Sequence, residues 1–167
     1  MLIEVIPATP EQEPILVNLL QLYIHDFSEF LDVEVGPDGR FGYPDLPLYW
    51  REPDRHPFLV HADGKLAGFA LVKKAPAASD AEMVWDLAEF FVLRTYRRQR
   101  VGLEAACQVW SKFPGQWQVR VMESNRSAHH FWEHAIARFA GKAIPSVPIE
   151  HGGQHWHYFY FQSTSGA

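Results

Sequence analysis

Between Val84 and Leu93 the chain reads VWDLAEFFVL, an apolar run interrupted only by Asp86 and Glu89. A stretch this rich in Val, Phe and Leu, without two-residue alternation, reads as a strand buried on both faces. Such a strand belongs inside a sheet that carries further layers on either side. The chain has the material for it: 167 residues, 47% hydrophobic and 14% aromatic, match the size of one compact domain. We assign residues 1–162 to that domain and 163–167 to a C-terminal tail. The 12 Pro and 11 Gly are dispersed, which excludes a collagen-like or low-complexity chain.

The order of elements follows from periodicity. LIEVI (2–6) alternates as a half-buried strand, and Thr9-Pro10-Glu11-Gln12 has the form of a capping box. Ile15, Leu16, Leu19, Leu20, Leu22 and Tyr23 then recur at helical spacing to about His25. Residues 26–55 hold four prolines and no sustained period, and read as a long aromatic-rich loop with at most a short helix, of the kind that serves a site or packs on the core. FLVHA and KLAGFALVKK flank Asp63-Gly64 as a hairpin, and APAASDAE (75–82) forms the next loop. After the central strand come a helix with Val101, Ala105, Ala106, Val109, Trp110 and Phe113 on one face, and a strand from Trp117 to Val121. A helix capped by Asn125 or Ser127 follows, and a hairpin turning at Gly152-Gly153 ends the series. The fold class is α/β or α+β, with one mixed sheet.

Charge and cysteine content narrow the function. Fifteen basic against twenty acidic side chains give a formal charge of -5, so no overall field gathers nucleic acid or an anionic membrane. Cys107 stands alone, which leaves neither a disulfide nor a zinc pair and fits a reducing cytoplasm. The N-terminus lacks a signal-peptide pattern, and no apolar run of about 18 residues spans a bilayer. A soluble, cytoplasmic protein is expected.

Against that acidic background, Arg94, Arg97, Arg98 and Arg100 crowd the link between the buried strand and the next helix. A strand feeding a helix N-terminus presents free amides and the positive end of a dipole, and guanidinium groups grip phosphate bidentately. A phosphorylated ligand is therefore expected at this corner. The segment carries neither the P-loop Gly-Lys-Ser/Thr nor the dinucleotide Gly-x-Gly-x-x-Gly, since Gly102 is isolated.

VLRTYRRQRVGLEAA resembles the coenzyme A loop of the GNAT (GCN5-related) N-acetyltransferases, Arg/Gln-x-x-Gly-x-Gly/Ala after a Val-x-Pro-x-Tyr-Arg lead-in. Val92, Tyr96 and Arg97 match the lead-in, with Arg94 where proline is common, and Gly102 closes the motif. Arg100 stands at the usual first glycine, where it meets positive φ less cheaply. Downstream, Asn125, Ala128, Phe131 and Trp132 match Asn-x-x-Ala-x-x-Phe-Tyr, with Trp in place of Tyr. LYIHDFSEF, AGFALV and NRSAHHFWEHAI further resemble a bacterial group of predicted acetyltransferases.

The resemblance implies a central mixed sheet of six to seven strands flanked by about four helices, and acetyl-CoA as cosubstrate. It places the donor between the strands 84–93 and 117–121, against Phe91, Val92 and Leu93. The pyrophosphate would lie on Arg97, Arg98, Gln99, Arg100, Val101, Gly102 and Leu103, with Asn125 holding the pantetheine or the adjacent helix start and Phe131 among the cofactor contacts. The implied reaction is transfer of an acetyl group to a primary amine of a small molecule or peptide. The alternative is a non-catalytic acyl-CoA-binding or sensor module.

For the base we favour Glu89 over Asp86; three residues apart in a regular strand, they face opposite sides unless a bulge intervenes. Trp132 cannot serve as the family's Tyr acid, which leaves Tyr158, Tyr160, His157, Tyr23 and Tyr43 as candidates, Tyr158 foremost. Tyr23, Asp26, Tyr43 and Trp50 are the candidate acceptor contacts, with Glu29 and Tyr49 beside them; charge and aromatic faces suit a cationic amine. Aromatics over 41–50 serve a homodimer as readily. His130 with His134, and His155 with His157, lack a third ligand at metal spacing, so no metal is expected.

Overall fold

The computed structural model describes residues 1–78 and 82–164. In chain order the elements are β1 (Ile3–Pro7), α1 (Glu13–Phe27), β2 (Arg55–Ala62), β3 (Lys65–Pro76), β4 (Met83–Val92), α2 (Val101–Lys112), β5 (Gly115–Met122), α3 (Arg126–Ala140), β6 (Val147–His151) and β7 (Gln154–Ser163). Single 3-10 turns occupy Pro10–Gln12, Leu46–Trp50 and Arg94–Tyr96. Gln12 reaches back to the Thr9 amide at 2.9 Å, and the helix that follows buries Leu16, Leu19, Leu20 and Ile24.

The strands form one sheet in the order β1-β2-β3-β4-β5-β7-β6, antiparallel throughout except for β4 against β5. One face packs Val60, Val72, Leu87, Val119 and Phe159 against α2 and α3 through Trp110, Trp132 and Ile136. The other packs Leu59, Phe69, Leu71 and Phe91 against α1 and the turn at Leu46–Trp50. The central strand is covered on both faces, as its composition requires.

Three α-helices are described where about four were expected. Residues 28–50 form a loop with one 3-10 turn, because Pro37, Pro44 and Pro47 deny the i→i−4 ladder. Gln21 fastens this loop to α1, donating to the Phe41 carbonyl at 2.8 Å and accepting from its amide at 2.7 Å. Of the loop expected over 75–82, Ala75 and Pro76 belong to β3, and residues 79–81 lie outside the described set. Ser163, the first residue assigned to the tail, ends β7 and donates to the Trp110 carbonyl at 2.7 Å, while 165–167 are also outside the described set. Among the described residues no helix is long and apolar enough to cross a membrane.

Two irregularities shape the centre of the sheet. Leu71 pairs with Glu89 and Val72 with Leu87, so Ala88 is an extra residue in β4. And β4 is in register with β5 only at Trp85↔Trp117 and Asp86↔Gln118; beyond that level the two strands part. The closed end of the resulting fork is wedged by Trp85, Trp117 and Phe113, with Trp85 and Phe113 centroids 4.6 Å apart.

Candidate active site

The extra residue at Ala88 decides where the carboxylates go. Without it Asp86 and Glu89 would project to opposite sides; with it both share the face of their partners Lys73 and Leu71, the α1 side. On β5, Gln118 and Arg120 alternate onto that same side, and Tyr158 and Tyr160 pair with them from β7. Tyr158 belongs to neither hydrophobic cluster although it is buried. A polar floor thus lies beside the fork.

Asp86 is 1% exposed and meets Arg120 Nη2 at 3.3 Å. Burial raises the Asp86 carboxyl above its usual range while the guanidinium pulls it down. Arg120 also lies 5.9 Å from the Trp156 ring centre and faces Tyr158. Higher on the fork, Glu89 is half-buried, and the Tyr43 hydroxyl donates to its Oε1 at 3.4 Å. The Tyr23 hydroxyl faces the same carboxylate. Burial pushes the Glu89 carboxyl up; the tyrosine hydroxyls and Arg120 hold it down, and Asp86 raises it again, for a net upward shift.

All three surrounding tyrosines are themselves raised by burial, Tyr23 and Tyr43 strongly and Tyr49 to about 12, with Glu89 adding to each. They remain protonated donors at neutral pH. The Tyr49 hydroxyl lies against Tyr43 without a partner in hydrogen-bond geometry. Tyr158 is raised by burial, with Arg120 opposing. Outside this floor, Val17, Gln21, Arg40, Phe41, Tyr43 and Leu46 line a cavity of about 420 Å³ between α1 and the loop, so Tyr43 touches both spaces.

The arginine-rich corner closes β4 and opens α2. Arg98 and Arg100 have φ of 60° and 66°, the left-handed region that favours glycine. The Leu93 amide donates to the Ala67 carbonyl at 2.8 Å, so strand alternation turns the Val92 amide toward the fork. Arg97 Nε donates to the Val92 carbonyl at 2.8 Å, and Gln99 Nε2 to the Thr95 carbonyl at 2.7 Å. Val101 and Leu103 are buried and anchor the first turn of α2, whose amides have no intrahelical acceptor. The Phe131 ring packs closely on Gly102, where a Cβ would stand 3.1 Å from its Cζ.

Glu89, Asp86, Tyr23, Tyr43 and Tyr158 therefore converge, and Phe91 underlies Tyr23 at 5.8 Å between ring centres. Asn125 spends its Oδ1 on the Ala128 amide at 3.1 Å, capping α3. Trp50 donates to the Ala8 carbonyl at 2.9 Å and pins its turn to the end of β1. Asp26 is not part of the tyrosine cluster's hydrogen bonding: it pairs with Arg94 at 2.6 Å and Arg97 at 2.9 Å. Trp132 is a core residue, 5.1 Å from Phe90 and 4.8 Å from Phe131 between ring centres. His157 pairs with Val121 and so faces α3, away from Glu89; His129 and His157 each lie 3.2 Å from the Ser146 hydroxyl. Among the described residues no group of three or more His, Cys, Asp or Glu could hold a metal ion.

Arg120 escaped the sequence reading. Its signal was present, since in QWQVRV the polar Gln118 and Arg120 alternate with Trp117, Val119 and Val121. Tyr49 was expected only as an aromatic face for a cation. That its hydroxyl joins the tyrosine cluster has no local signal, because its position depends on how the loop folds back.

Comparison with known proteins agrees with this architecture. Structures of an acetyltransferase from Thermus thermophilus (16% identity, 98% of each chain, TM-score 0.69), of a GNAT-family acetyltransferase from Streptococcus agalactiae (12%, 98% of this chain and 96% of that one, 0.71) and of one from Streptococcus pneumoniae (15%, 96% and 99%, 0.62) share the fold. No protein of curated function matches the sequence significantly. The model of the acetyltransferase (GNAT) family matches residues 16–136, from α1 through the fork and the arginine corner into α3. The chain belongs to the GNAT acetyltransferase family.

Proposed function

We propose that the protein is an acetyl-CoA-dependent N-acetyltransferase acting on a primary amine of a small molecule or peptide. The observation that carries this reading is the open fork: β4 and β5 part just above Asp86↔Gln118, with Glu89 and its tyrosines at the parting and the arginine-flanked start of α2 at its mouth. Acetyl-CoA, when bound, supplies the acyl carbonyl and a thiolate leaving group. The amides of Arg100 to Leu103 and the side chains of Arg98 and Arg100 suit its phosphates, and the Val92 amide suits its carbonyl.

Glu89 is the base. An amine arriving as ammonium must lose a proton before it attacks, and a carboxylate whose affinity for protons is raised by burial is better matched to that task than an ordinary one. Tyr23 and Tyr43 hold the carboxylate in place and stay protonated. Arg120, tied to Asp86, keeps the floor from accumulating two uncompensated negative charges. Tyr158, beside Arg120, is the hydroxyl nearest in role to a proton donor for the departing thiolate.

Thiol release from acetyl-CoA across a panel of amines tests the reading. Glu89→Gln is expected to lower turnover by about 10²–10⁴-fold with little change in acetyl-CoA affinity. Binding of acetyl-CoA without turnover on any amine would instead assign the chain as a non-catalytic acyl-CoA-binding module, and equal turnover by both proteins would remove Glu89 from the chemistry.

A further inference from the structure

The donor corner has a mechanical problem. Arg98 and Arg100 both sit at positive φ, where a side chain is disfavoured, and Arg100 immediately precedes the first turn of α2. Strained backbone of this kind persists only where the surroundings over-determine it. The structure supplies such surroundings from one direction. Asp26, in the last turn of α1, places one carboxylate oxygen 2.6 Å from Arg94 Nη2 and the other 2.9 Å from Arg97 Nη2. Arg97 is held twice more, by its Nε bond to the Val92 carbonyl and by packing 5.6 Å from the Phe91 ring centre. The Tyr96 amide turns back to the Leu93 carbonyl at 2.9 Å, which closes the segment between the two clamped arginines.

The same helix carries Tyr23, one turn earlier, which packs on Phe91 and faces Glu89. One end of α1 thus fixes the base and the arginine corner together. Asp26 also engages two of the corner's four cations and leaves Arg98 and Arg100 without a described ion pair.

We infer that Asp26 is a positioning residue rather than a substrate ligand: its carboxylate clamps Arg94 and Arg97 so that the loop from Arg97 to Leu103 is held, before any ligand arrives, in the strained shape that an anionic donor needs. The link to the donor rests on the acetyltransferase reading; the clamp itself does not, so one arm of the test uses no ligand.

Amide hydrogen exchange on the full chain provides that arm. In Asp26→Asn, the bonded amides of the segment, Tyr96, Arg97 and Glu104, are expected to exchange about tenfold faster or more, with β2 and β3 unchanged, because a local opening has been released and not the fold. Asp26→Glu should recover part of the protection. Arg100→Gly, which accepts the same φ without strain, should shrink the effect of Asp26→Asn when the two are combined. Should Asp26→Asn loosen the whole chain, Arg94→Met decides: it removes a largely exposed arm of the clamp and should give a smaller acceleration confined to the same segment. In the second arm, the KM for acetyl-CoA should rise about tenfold in Asp26→Asn while kcat changes little, the pattern of lost ground-state binding. Unaltered exchange of the Tyr96, Arg97 and Glu104 amides in both Asp26→Asn and Arg94→Met, or an Asp26→Asn effect of the same size with and without Arg100→Gly, would overturn the clamp. Accelerated exchange in a protein that never releases thiol would leave the clamp standing and refute the acetyltransferase reading alone.

Discussion

Glu89 is set where the role proposed for it and its contribution to stability conflict. Its carboxyl is raised above its ordinary 4.5 chiefly by burial, so the ionised form costs more in the folded chain than in the unfolded one. The penalty is absent below the unfolded value and grows as pH rises through the folded one. Glu89→Gln should therefore raise the melting temperature at pH 7–8, and the gain should vanish near pH 4; a gain of equal size at both pH values would contradict the assignment. Asp86 is raised by burial as well, but it differs in having a counter-charge in contact. It is the buried partner of Arg120, and Asp86→Asn leaves that guanidinium without its counter-charge, at an expected loss of about 3–5 kcal/mol in urea unfolding. A loss below about 1 kcal/mol would mean that water already shares the pair. The carboxylates were both legible as the only charges in an apolar strand; their common orientation was not.

What hid that orientation is the bulge. Whether a β4 side chain faces α1 or α3 depends on the register with β3, and the single unmatched Ala88 reverses the parity of every residue beyond it. Nothing local in LAEF announces an extra residue. Asp26 shows the same limit: its partners lie 68 and 71 positions away, so its charge could be read but not its pairing. By contrast the arginine corner and the long apolar strand were readable because both are local, one a charge cluster at a strand-to-helix junction and the other a run of strand formers. Close approach of β3 and β4 above the bulge can be tested at Gly68, where a Cβ would collide with the Phe91 carbonyl oxygen. Gly68→Ala should cost about 1–3 kcal/mol or more and displace the upper half of β4, since backbone cannot yield as a flexible side chain does. Unchanged stability with intact donor affinity would show that the two strands are not held this closely.

Across the molecule, the two layers cover the sheet unequally, and the proposed function uses the part they leave. α2 and α3 cover one face through a core that includes Trp110, Trp117 and Phe159, all fully buried, while on the other face α1 and the turn at Leu46–Trp50 pack over Leu59, Phe69, Leu71 and Phe91. Beyond that cover stand Arg120 and Tyr158, next to the place where β4 and β5 separate. On the proposed function, the fork, the carboxylate and the helix start would mark the path from phosphate to amine. A crystal structure of the full chain with acetyl-CoA tests this most directly. The account predicts phosphates on the first turn of α2 beside Arg98 and Arg100, and the thioester between β4 and β5 within hydrogen-bonding reach of the Val92 amide, with Glu89 facing it. Acetyl-CoA bound elsewhere, or β4 and β5 paired along their whole length with nothing between them, would contradict it.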